Sequence, residues 1–355
     1  MTERIVALQN NMPEGVDGAI IMSGVNRRYF TGFNSSAGTL LITREKAMFI
    51  IDFRYIEAAK NTIKGCEIVL QEKLYSQIKE FFTSNGVKNV AIESGYLTIE
   101  GYFALKSALS PINVTTDKEL NSAILDLRKI KSKAELEIMK QAQALTDEAF
   151  EHILNVIKPG KSELEIALEL EFFVRKKGAG AAFDFIVVSG KRSSMPHGVP
   201  SEKIIERGDF VTMDYGASVD GYRSDMTRTV AVGEISEEQE RVYNTVLEAQ
   251  ARAISEIKAG VVCKDIDKVA RDIINNAGYE GCFGHGLGHC LGLDIHETPA
   301  FNTICSDIAQ SGMVISVEPG IYIEGKFGCR IEDVVYITDN GCIDITNSEK
   351  NIIIL

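Results

Sequence analysis

The sequence lacks the features that define several common classes of protein. Its seven cysteines are odd in number and include no CxxC pair, which favours reduced thiols in a cytosolic protein over a disulfide framework. No apolar run approaches the ~18 residues that a membrane span requires. The net charge of −12 argues against nucleic acid or an anionic membrane as a partner. Met1 to Arg4 lead into a mixed polar segment, so we expect no signal peptide.

What remains is the composition of an ordinary globular protein, with 45% hydrophobic and 25% charged residues. A length of 355 residues exceeds the usual single domain, so two domains are expected. We predict a smaller α/β domain over residues 1–122 and a larger α+β domain over residues 123–355.

The first domain shows strand and helix signals but no cluster of chemically suggestive residues. Apolar runs and turn signals predict four strands: 18–22, 39–43, 47–51 and 90–92, of which the second and third form a hairpin. Helical patterns cover three segments: 52–60, 74–85 and 98–109. Residues 111–131 are expected to form a connection that contains a single helical turn. We expect this domain to pack or dimerise and to wall off a cleft.

The second domain repeats one order of elements, in which two helices precede a strand and a hairpin. Capping boxes start helices at Ser132, Ser162 and Ser236. Equivalent residues recur 100 or 104 positions later: Gly160 and Gly260, Gly178 and Gly278, Gly208 and Gly312, Asp214 and Glu318, and Gly216 and Gly320. A period this long indicates a duplicated unit rather than a solenoid. Two halves packed about a pseudo-twofold axis would bring Asp214 and Glu318 together.

The first of the two equivalent hairpins carries two aspartates on one face. With Asp220-Gly221 as a two-residue turn, Asp214 lies opposite Thr227. Asp225 is then a diagonal neighbour of Asp214 across the two strands, with backbone positions ~7–8 Å apart, so their side chains can share an ion.

The second hairpin carries two glutamates at equal distances from Gly325. A three-residue turn would set Glu318 directly opposite Glu332. The four carboxylates of the two hairpins would repel one another if they faced inward, and divalent cations would remove that cost.

A glycine-rich stretch, Gly284 to Glu297, contains three of the five histidines. Alternating glycine favours an extended segment that something approaches closely. Adding His289 to the four carboxylates gives mostly oxygen donors with one nitrogen, a set that suits Mn²⁺ and also Co²⁺, Fe²⁺ or Zn²⁺. We therefore expect two divalent metal ions, ~3.5–4 Å apart, with bridging carboxylates.

These residues belong to motifs that resemble the M24 pita-bread metallopeptidases, and more narrowly Xaa-Pro dipeptidase (prolidase) and aminopeptidase P. The motifs are His197-Gly198, Met213-Asp214-Tyr215-Gly216, Ser224-Asp225-Met226-Thr227-Arg228, Gly284-His285-Gly286-Leu287-Gly288-His289, Ile295-His296-Glu297, Glu318-Pro319-Gly320 and Arg330-Ile331-Glu332-Asp333. The resemblance covers about residues 125–355, and Asp52-Phe53-Arg54-Tyr55 resembles the creatinase/prolidase N-terminal domain. It implies a pita-bread catalytic domain with an internal pseudo-twofold duplication.

The resemblance implies five metal ligands: Asp214 and Glu318, each mainly on one metal, Asp225 and Glu332, which would bridge both, and His289, which would complete one site. Three further histidines would line the cleft and bind substrate and the tetrahedral intermediate: His197, His285 and His296. Arg330 would orient Glu332, and Thr227 would orient Asp225.

The implied activity is hydrolysis of the bond between an N-terminal residue and proline by a hydroxide that bridges both metals. A metal and a cleft histidine would stabilise the oxyanion, and Glu318 would shuttle the proton. The substrate would be a small peptide with proline at its second position, whose nitrogen carries no hydrogen. Some prolidases have an arginine at the position of Ala300 that grips the dipeptide carboxylate, so alanine favours longer peptides.

Three other relatives of this fold are open as alternatives. Methionine aminopeptidase shares the five ligands but normally lacks the N-terminal domain and the histidine that matches His285. Creatinase uses no metal, and non-catalytic peptide-binding modules of this fold lose ligands that are all present here. The family also implies a homodimer.

Overall fold

The computed structural model describes residues 3–355, so Met1 and Thr2, with which the expected polar start begins, lie outside the described residues. The chain separates into two compact units, one ending at Arg128 and one running from Lys129 to Leu355. None of the helices within residues 3–355 combines the length and apolar content needed to cross a lipid bilayer.

The N-terminal unit is a mixed six-stranded sheet accompanied by helices. Its helices are α1 (Glu3–Asn10), α2 (Gly24–Thr31), α3 (Ile56–Thr62), α4 (Leu74–Ser84), α5 (Ile99–Leu109) and α6 (Glu119–Lys129). Its strands are β1 (Gly18–Ile21), β2 (Thr39–Thr43), β3 (Ala47–Ile51), β4 (Glu67–Leu70), β5 (Asn89–Ile92) and β6 (Asn113–Thr115). The sheet order is β4-β3-β2-β1-β5-β6, and the predicted β2–β3 hairpin is confirmed.

Two predictions in this unit are wrong in detail. Residues 111–131 contain strand β6 and the eleven-residue helix α6 instead of a connection with one helical turn. Leu120 and Ile124 are one turn apart on α6 and both are buried, so apolar packing stabilises the helix. The helix predicted from Asp52 begins at Ile56, because Asp52 Oδ1 accepts a hydrogen bond from the Arg54 amide and holds a turn there.

The C-terminal unit contains four long helices and several small sheets. The helices are α7 (Lys133–Ile153), α8 (Glu163–Lys176), α9 (Glu237–Glu256) and α10 (Cys263–Ile274). The strands of its first half are β7 (Gly180–Ala181), β8 (Ile186–Ser189), β9 (Phe210–Tyr215), β10 (Ala217–Val219), β11 (Tyr222–Arg223) and β12 (Met226–Ala231). Those of its second half are β13 (Gly288–Cys290), β14 (Glu297–Phe301), β15 (Val314–Val317), β16 (Gly320–Ile323), β17 (Phe327–Arg330), β18 (Asp333–Ile337) and β19 (Cys342–Asp344).

The two halves of this unit repeat the same backbone pairing. Strand β9 lies between β8 and β12, as β15 lies between β13 and β18. Ahead of the second helix of each half, Ser162 forms a bridge with Ile204 and Val262 forms one with Ile308. Gly160 and Gly260, 100 residues apart, have the same φ of 93°. The predicted duplication is therefore confirmed, and each half has a hydrophobic core formed mainly by its own residues.

The predicted hairpin registers are also confirmed. Asp214 pairs with Thr227 across β9 and β12, and Ile323 pairs with Phe327 across a three-residue turn. The glycine-rich stretch was predicted to be extended throughout, but only Gly288–Cys290 forms a strand before β14 begins at Glu297. The residues between them form turns and bends, which carry His296 to the cavity described below.

Candidate metal centre

A cavity of about 460 Å³ opens in the C-terminal unit where its two halves meet. All eight residues that the sequence assigned to metal or substrate line it: His197, Asp214, Asp225, His285, His289, His296, Glu318 and Glu332. Ala300 and Arg330 line it as well.

The first hairpin delivers two aspartates to this cavity. Asp214 lies on β9, and Asp225 lies between β11 and β12, opposite Gly216 in the continued register. A Cβ added to Gly216 would lie 2.0 Å from the Ser224 carbonyl oxygen. Glycine therefore lets the two strands approach closely enough to bring both carboxylates to one face.

The second hairpin and the histidine strand supply the other three residues. Glu318 follows β15, Glu332 precedes β18, and His289 lies on β13, which pairs with β15. A Cβ on Gly288 would lie 1.9 Å from the carbonyl oxygen of Ser316, so this close pairing also requires glycine.

The side chains converge within metal-binding distance. One ligand atom each of Asp225, His289 and Glu332 lie within 4.8 Å of one another. His289 Nε2 lies 3.6 Å from Asp225 Oδ2 and 3.5 Å from Glu318 Oε1. Asp214 Oδ1, Asp225 Oδ1 and Glu332 Oε1 are buried and have no hydrogen-bond partner among residues 3–355. Buried, unpartnered carboxylate oxygens are costly unless a cation satisfies them.

The tautomer of His289 points to the same conclusion. His289 Nδ1 lies 3.2 Å from the Cys290 carbonyl oxygen, which can only accept, so Nδ1 carries the proton. Nε2 then turns its lone pair toward the carboxylates of Asp225 and Glu318. Burial, followed by the neighbouring His296, lowers the pKa of His289 to about 4, so the imidazole is neutral. A lone pair that faces carboxylates fits a cation between them.

Burial raises the pKa of all four carboxyl groups, that of Glu318 to about 8. The charges of Asp214 and Glu318 raise the pKa of Asp225 further, and the charge of Asp225 does the same for Glu332. For Asp214, the positive charge of Arg330 opposes the effect of burial. Ionising all four carboxyl groups at once therefore costs free energy, and bound cations would remove that cost.

Polar neighbours fix the carboxylates, in a pattern that differs from the sequence expectation. Arg330 Nη2 donates to Asp214 Oδ2 at 2.7 Å, and Arg330 Nε donates to Thr227 Oγ1 at 2.9 Å. Thr227 Oγ1 in turn donates to Glu332 Oε2 at 2.7 Å. Arg330 thus reaches Glu332 through Thr227, and Thr227 orients Glu332 rather than Asp225.

The three other histidines occupy different environments around the cavity. His285 Nδ1 lies 2.8 Å from the Gly286 carbonyl oxygen, so Nε2 accepts from the hydroxyl of Tyr322 at 2.9 Å. Burial and the charge of Arg330 lower the pKa of His285 to about 4. Within residues 3–355, the rings of His197 and His296 make no hydrogen bond, and His296 packs 4.4 Å from the His289 ring.

Sequence reasoning missed two residues at this site. Tyr322 joins His285 to Arg330, whose Nη1 donates to the tyrosine hydroxyl at 2.8 Å. Ser316 Oγ accepts from the His289 amide at 3.1 Å and donates to Glu318 Oε1 at 3.3 Å. Each is a polar residue between two apolar neighbours on a strand, and this alternation was the one signal that could have separated them from the apolar face.

The donor set therefore fits a pair of hard divalent cations. Four carboxylates and one imidazole converge, three carboxylate oxygens lack partners, and the histidine lone pair faces inward. Oxygen-rich sets with one imidazole suit Mn²⁺ and similar ions.

Two family models match this chain along nearly its whole length. A model of the creatinase/prolidase N-terminal domain matches residues 4–130. A model of metallopeptidase family M24 matches residues 137–339, which include every residue named above as a candidate ligand.

Individual relatives and solved structures agree with the family models. The chain is 39% identical to an Xaa-Pro dipeptidase of Pyrococcus furiosus, over 99% of this chain and 100% of the relative. An Xaa-Pro dipeptidase structure from Bacillus anthracis superposes with a TM-score of 0.95 at 44% identity, covering 99% of each chain. An X-Pro aminopeptidase structure from Thermotoga maritima gives a TM-score of 0.90 at 37% identity, covering 96% of this chain and 98% of the other.

Proposed function

This chain is a metallo-exopeptidase of metallopeptidase family M24, and we propose that it hydrolyses the bond between an N-terminal residue and a following proline. The observation that carries the proposal is the convergence of Asp214, Asp225, His289, Glu318 and Glu332 on one cavity, with buried carboxylate oxygens that lack partners. The names of similar proteins, Xaa-Pro dipeptidase and X-Pro aminopeptidase, support the choice of the proline bond.

The five converging residues would hold two divalent cations, with Mn²⁺ as our proposed identity. When bound, the cations would supply an acidified water and polarise the scissile carbonyl. The protein would provide the geometry: Arg330 and Thr227 hold Asp214 and Glu332, and Ser316 holds Glu318. We propose Glu318 as the group that accepts and returns the proton, since it lines the cavity and faces His289 Nε2.

The cavity histidines would contact the peptide. His197 and His296 have free ring nitrogens within the described chain, so they can donate to or accept from the substrate and its oxyanion. Both nitrogens of His285 are engaged, by Gly286 and Tyr322, so a polar contact of His285 with substrate would require Tyr322 to give way.

We further propose a cytoplasmic location and a homodimer. The seven cysteines are all free, which suits a reducing compartment. Helix α8 exposes an apolar stripe of Leu164, Leu168 and Phe172, which supports the presence of a partner surface.

Peptide length is the finer question about the substrate. Ala300 lines the cavity where some prolidases place an arginine for the dipeptide carboxylate. A short apolar side chain leaves room for the peptide to continue, so we propose that peptides longer than Xaa-Pro are substrates. Two alternatives, a methionine aminopeptidase and a non-catalytic peptide-binding module, are outcomes of the test below.

The test is turnover by the Mn²⁺-loaded protein of Ala-Pro, Ala-Pro-Ala and Met-Ala-Ala. We expect cleavage after alanine in both proline peptides, a higher kcat/KM for the tripeptide, and no release of methionine. Ala300→Arg should favour the dipeptide by about tenfold or more, since a hydrogen bond to a charged group contributes about 1.5–3 kcal/mol. Ala300→Met, of similar length without charge, is the control.

Release of methionine at a comparable rate would replace the proposal with a methionine aminopeptidase. Binding of the proline peptides without turnover in the metal-loaded protein would favour the binding module.

A further inference from the structure

A buried ion pair lies behind the loop that carries His296. Lys131 Nζ donates to Glu297 Oε2 at 2.9 Å, and the two side chains are only 1% and 3% exposed. Neither residue lines the cavity, and neither belongs to the metal centre. Charges this deep are costly to bury, and removing one partner alone is more costly still. The contacts of the pair show that it holds the loop of residues 292–297 in place.

Glu297 is wrapped by the backbone of the loop before it. Glu297 Oε1 accepts from the Asp294 amide at 3.2 Å. Gly292 approaches so closely that an added Cβ would lie 2.9 Å from Glu297 Oε1. The Gly292 amide donates to the Asp294 carbonyl at 3.0 Å, and the Gly292 carbonyl accepts from the Arg223 amide at 2.8 Å. The carboxylate is therefore the centre around which residues 292–297 turn.

Lys131 connects this turn to the sheet of the second half. The Lys131 amide donates to the Gly312 carbonyl at 2.8 Å, and the Gly312 amide donates to the Ile337 carbonyl at 2.9 Å. Leu291, at the start of the loop, donates from its amide to the Val314 carbonyl at 3.2 Å. Strand β15 begins at Val314 and pairs with β13, the strand that carries His289. The Lys131–Glu297 ion pair therefore ties the loop to the elements that hold the metal centre.

His296 is the residue whose position depends on this arrangement. It lies between Asp294 and Glu297, is itself exposed, and reaches the cavity next to the His289 ring. Because no hydrogen bond from the described chain holds the His296 ring, its location is set by the backbone of its loop. A buried ion pair resists separation more strongly than a neutral hydrogen bond, since the interaction is stronger where water is excluded.

We propose that Lys131 and Glu297 are positioning residues for the peptide substrate, which act by fixing the loop that presents His296 to the cavity. The proposal rests on the proposed function for its substrate. Precise placement of a group that contacts substrate matters, because a displacement of ~1 Å can cost about 100-fold in rate.

The first test is a double-mutant cycle in the Mn²⁺-loaded enzyme with Ala-Pro-Ala. We expect Glu297→Gln to lower kcat/KM by about 10- to 100-fold while the metal content is unchanged. If the pair acts through His296, the combined variant His296→Ala with Glu297→Gln should be no less active than His296→Ala alone. Additive losses, or a kcat/KM within twofold of wild type for Glu297→Gln, would overturn the proposal.

The second test measures the loop directly and needs no activity. Amide hydrogen exchange of the metal-free protein should be faster at Leu291 and Asp294 in Glu297→Gln, with the amides of β15 and β18 unchanged. Asp209→Asn is the control, because the Lys203–Asp209 pair, 2.6 Å apart, lies outside the cavity and should leave both activity and loop exchange unaltered. If Glu297→Gln does not fold, Lys131→Met combined with Glu297→Gln, which removes both charges, replaces it.

The two tests separate failure of this proposal from failure of the proposed function. A wild-type protein that leaves Xaa-Pro peptides intact contradicts the function, and the exchange measurement then decides the role of the pair. Unchanged exchange at Leu291 and Asp294 would remove the positioning role whatever the substrate is.

Discussion

At the scale of single residues, the site is marked by buried carboxylate oxygens that lack hydrogen-bond partners within residues 3–355. Asp225 is almost fully buried, and its Oδ1 has no hydrogen-bond partner in the described chain. Its Oδ2 faces the unprotonated Nε2 of His289 at 3.6 Å. Two groups that can only accept do not stabilise each other, so a cation is the natural partner for both.

We predict that Asp225→Asn abolishes metal binding and activity. Asparagine keeps the shape of the side chain but removes the charge and places an amide N–H₂ toward the metals. The loss in kcat/KM should exceed ~100-fold, because losing a residue that only hydrogen-bonds a metal ligand costs about 10- to 100-fold. Metal content by elemental analysis and turnover of Ala-Pro-Ala measure it. Asp184→Asn, at another carboxylate of the same cavity, should retain the metals. A full metal complement with the wild-type rate in Asp225→Asn would refute the assignment.

Residue roles were predictable from the sequence only where a pattern fixed their geometry. The placement of Asp214 and Asp225 followed from the length of a turn. The contact from Thr227 to Glu332 joins residues 105 positions apart, and the contact from His285 to Tyr322 joins residues 37 apart. The first contact depends on how the two halves pack, and the second on how strands within the second half pack, and strand periodicity encodes neither.

At the scale of elements, the two hairpins were the part of the site that the sequence predicted best, because their turns fix the strand register. Asp220 and Gly221 have φ of 46° and 77°, as a two-residue turn with two left-handed positions requires, and Asp-Gly is a favoured sequence for it. Helices with capping boxes were also predictable, and Ser132 caps α7 as expected. Helix α6 was missed because its polar flanks resemble a linker until Leu120 and Ile124 are seen to be buried.

Helix α8 exposes apolar side chains where its equivalent in the second half, α10, exposes charged ones. Leu164, Leu168 and Phe172 are 40%, 56% and 63% exposed. The residues 100 positions later on α10 are Lys264, Lys268 and Asp272, and the last two form an ion pair at 2.5 Å. The fold therefore tolerates charge on this face of the repeated unit, and the apolar stripe on α8 alone supports the proposed dimer surface.

We predict that Leu168→Glu weakens self-association. Stable interfaces bury ~800 Å² on each partner around an apolar centre, and a charge at such a centre is strongly unfavourable. Sedimentation velocity over a range of concentrations should show a dimer for the wild type and a shift to monomer for the variant. Lys268→Glu, at the equivalent position of α10, is the matched control and should leave the dimer intact. A dimer of unchanged affinity in Leu168→Glu would place the interface elsewhere.

At the scale of the whole molecule, the candidate metal centre is built from both halves of the C-terminal unit. Asp214 and Asp225 come from the first half, and His289, Glu318 and Glu332 come from the second. Cations bound by both sets would bind the folded chain and not the unfolded one, so they should stabilise the fold by mass action. The same carboxylates destabilise the metal-free protein when they ionise, which makes this stabilisation depend on pH.

We predict that the metal-free protein loses stability as the pH rises from 6.5 to 8. The folded protein holds a proton on Glu318 up to a pKa of about 8, whereas the unfolded chain has released it above the ordinary value of 4.5. The folded state therefore binds more protons in this window, and its free energy of unfolding falls as the pH rises. His285 and His289, whose pKa values are lowered from 6.5 to about 4, have the opposite effect, but only below pH 6.5.

Thermal unfolding with and without Mn²⁺ at pH 6.5, 7.25 and 8 measures this dependence. Tm of the metal-free protein should fall across the series, and the increase in Tm that Mn²⁺ produces should grow, because metal binding competes with protons for the same oxygens. Glu318→Gln, which cannot ionise, should reduce the slope of the metal-free series. A metal-free Tm that rises with pH over this window would mean that the carboxylates are ionised and neutralised by the protein itself. The convergence of acidic residues would then have no need of cations.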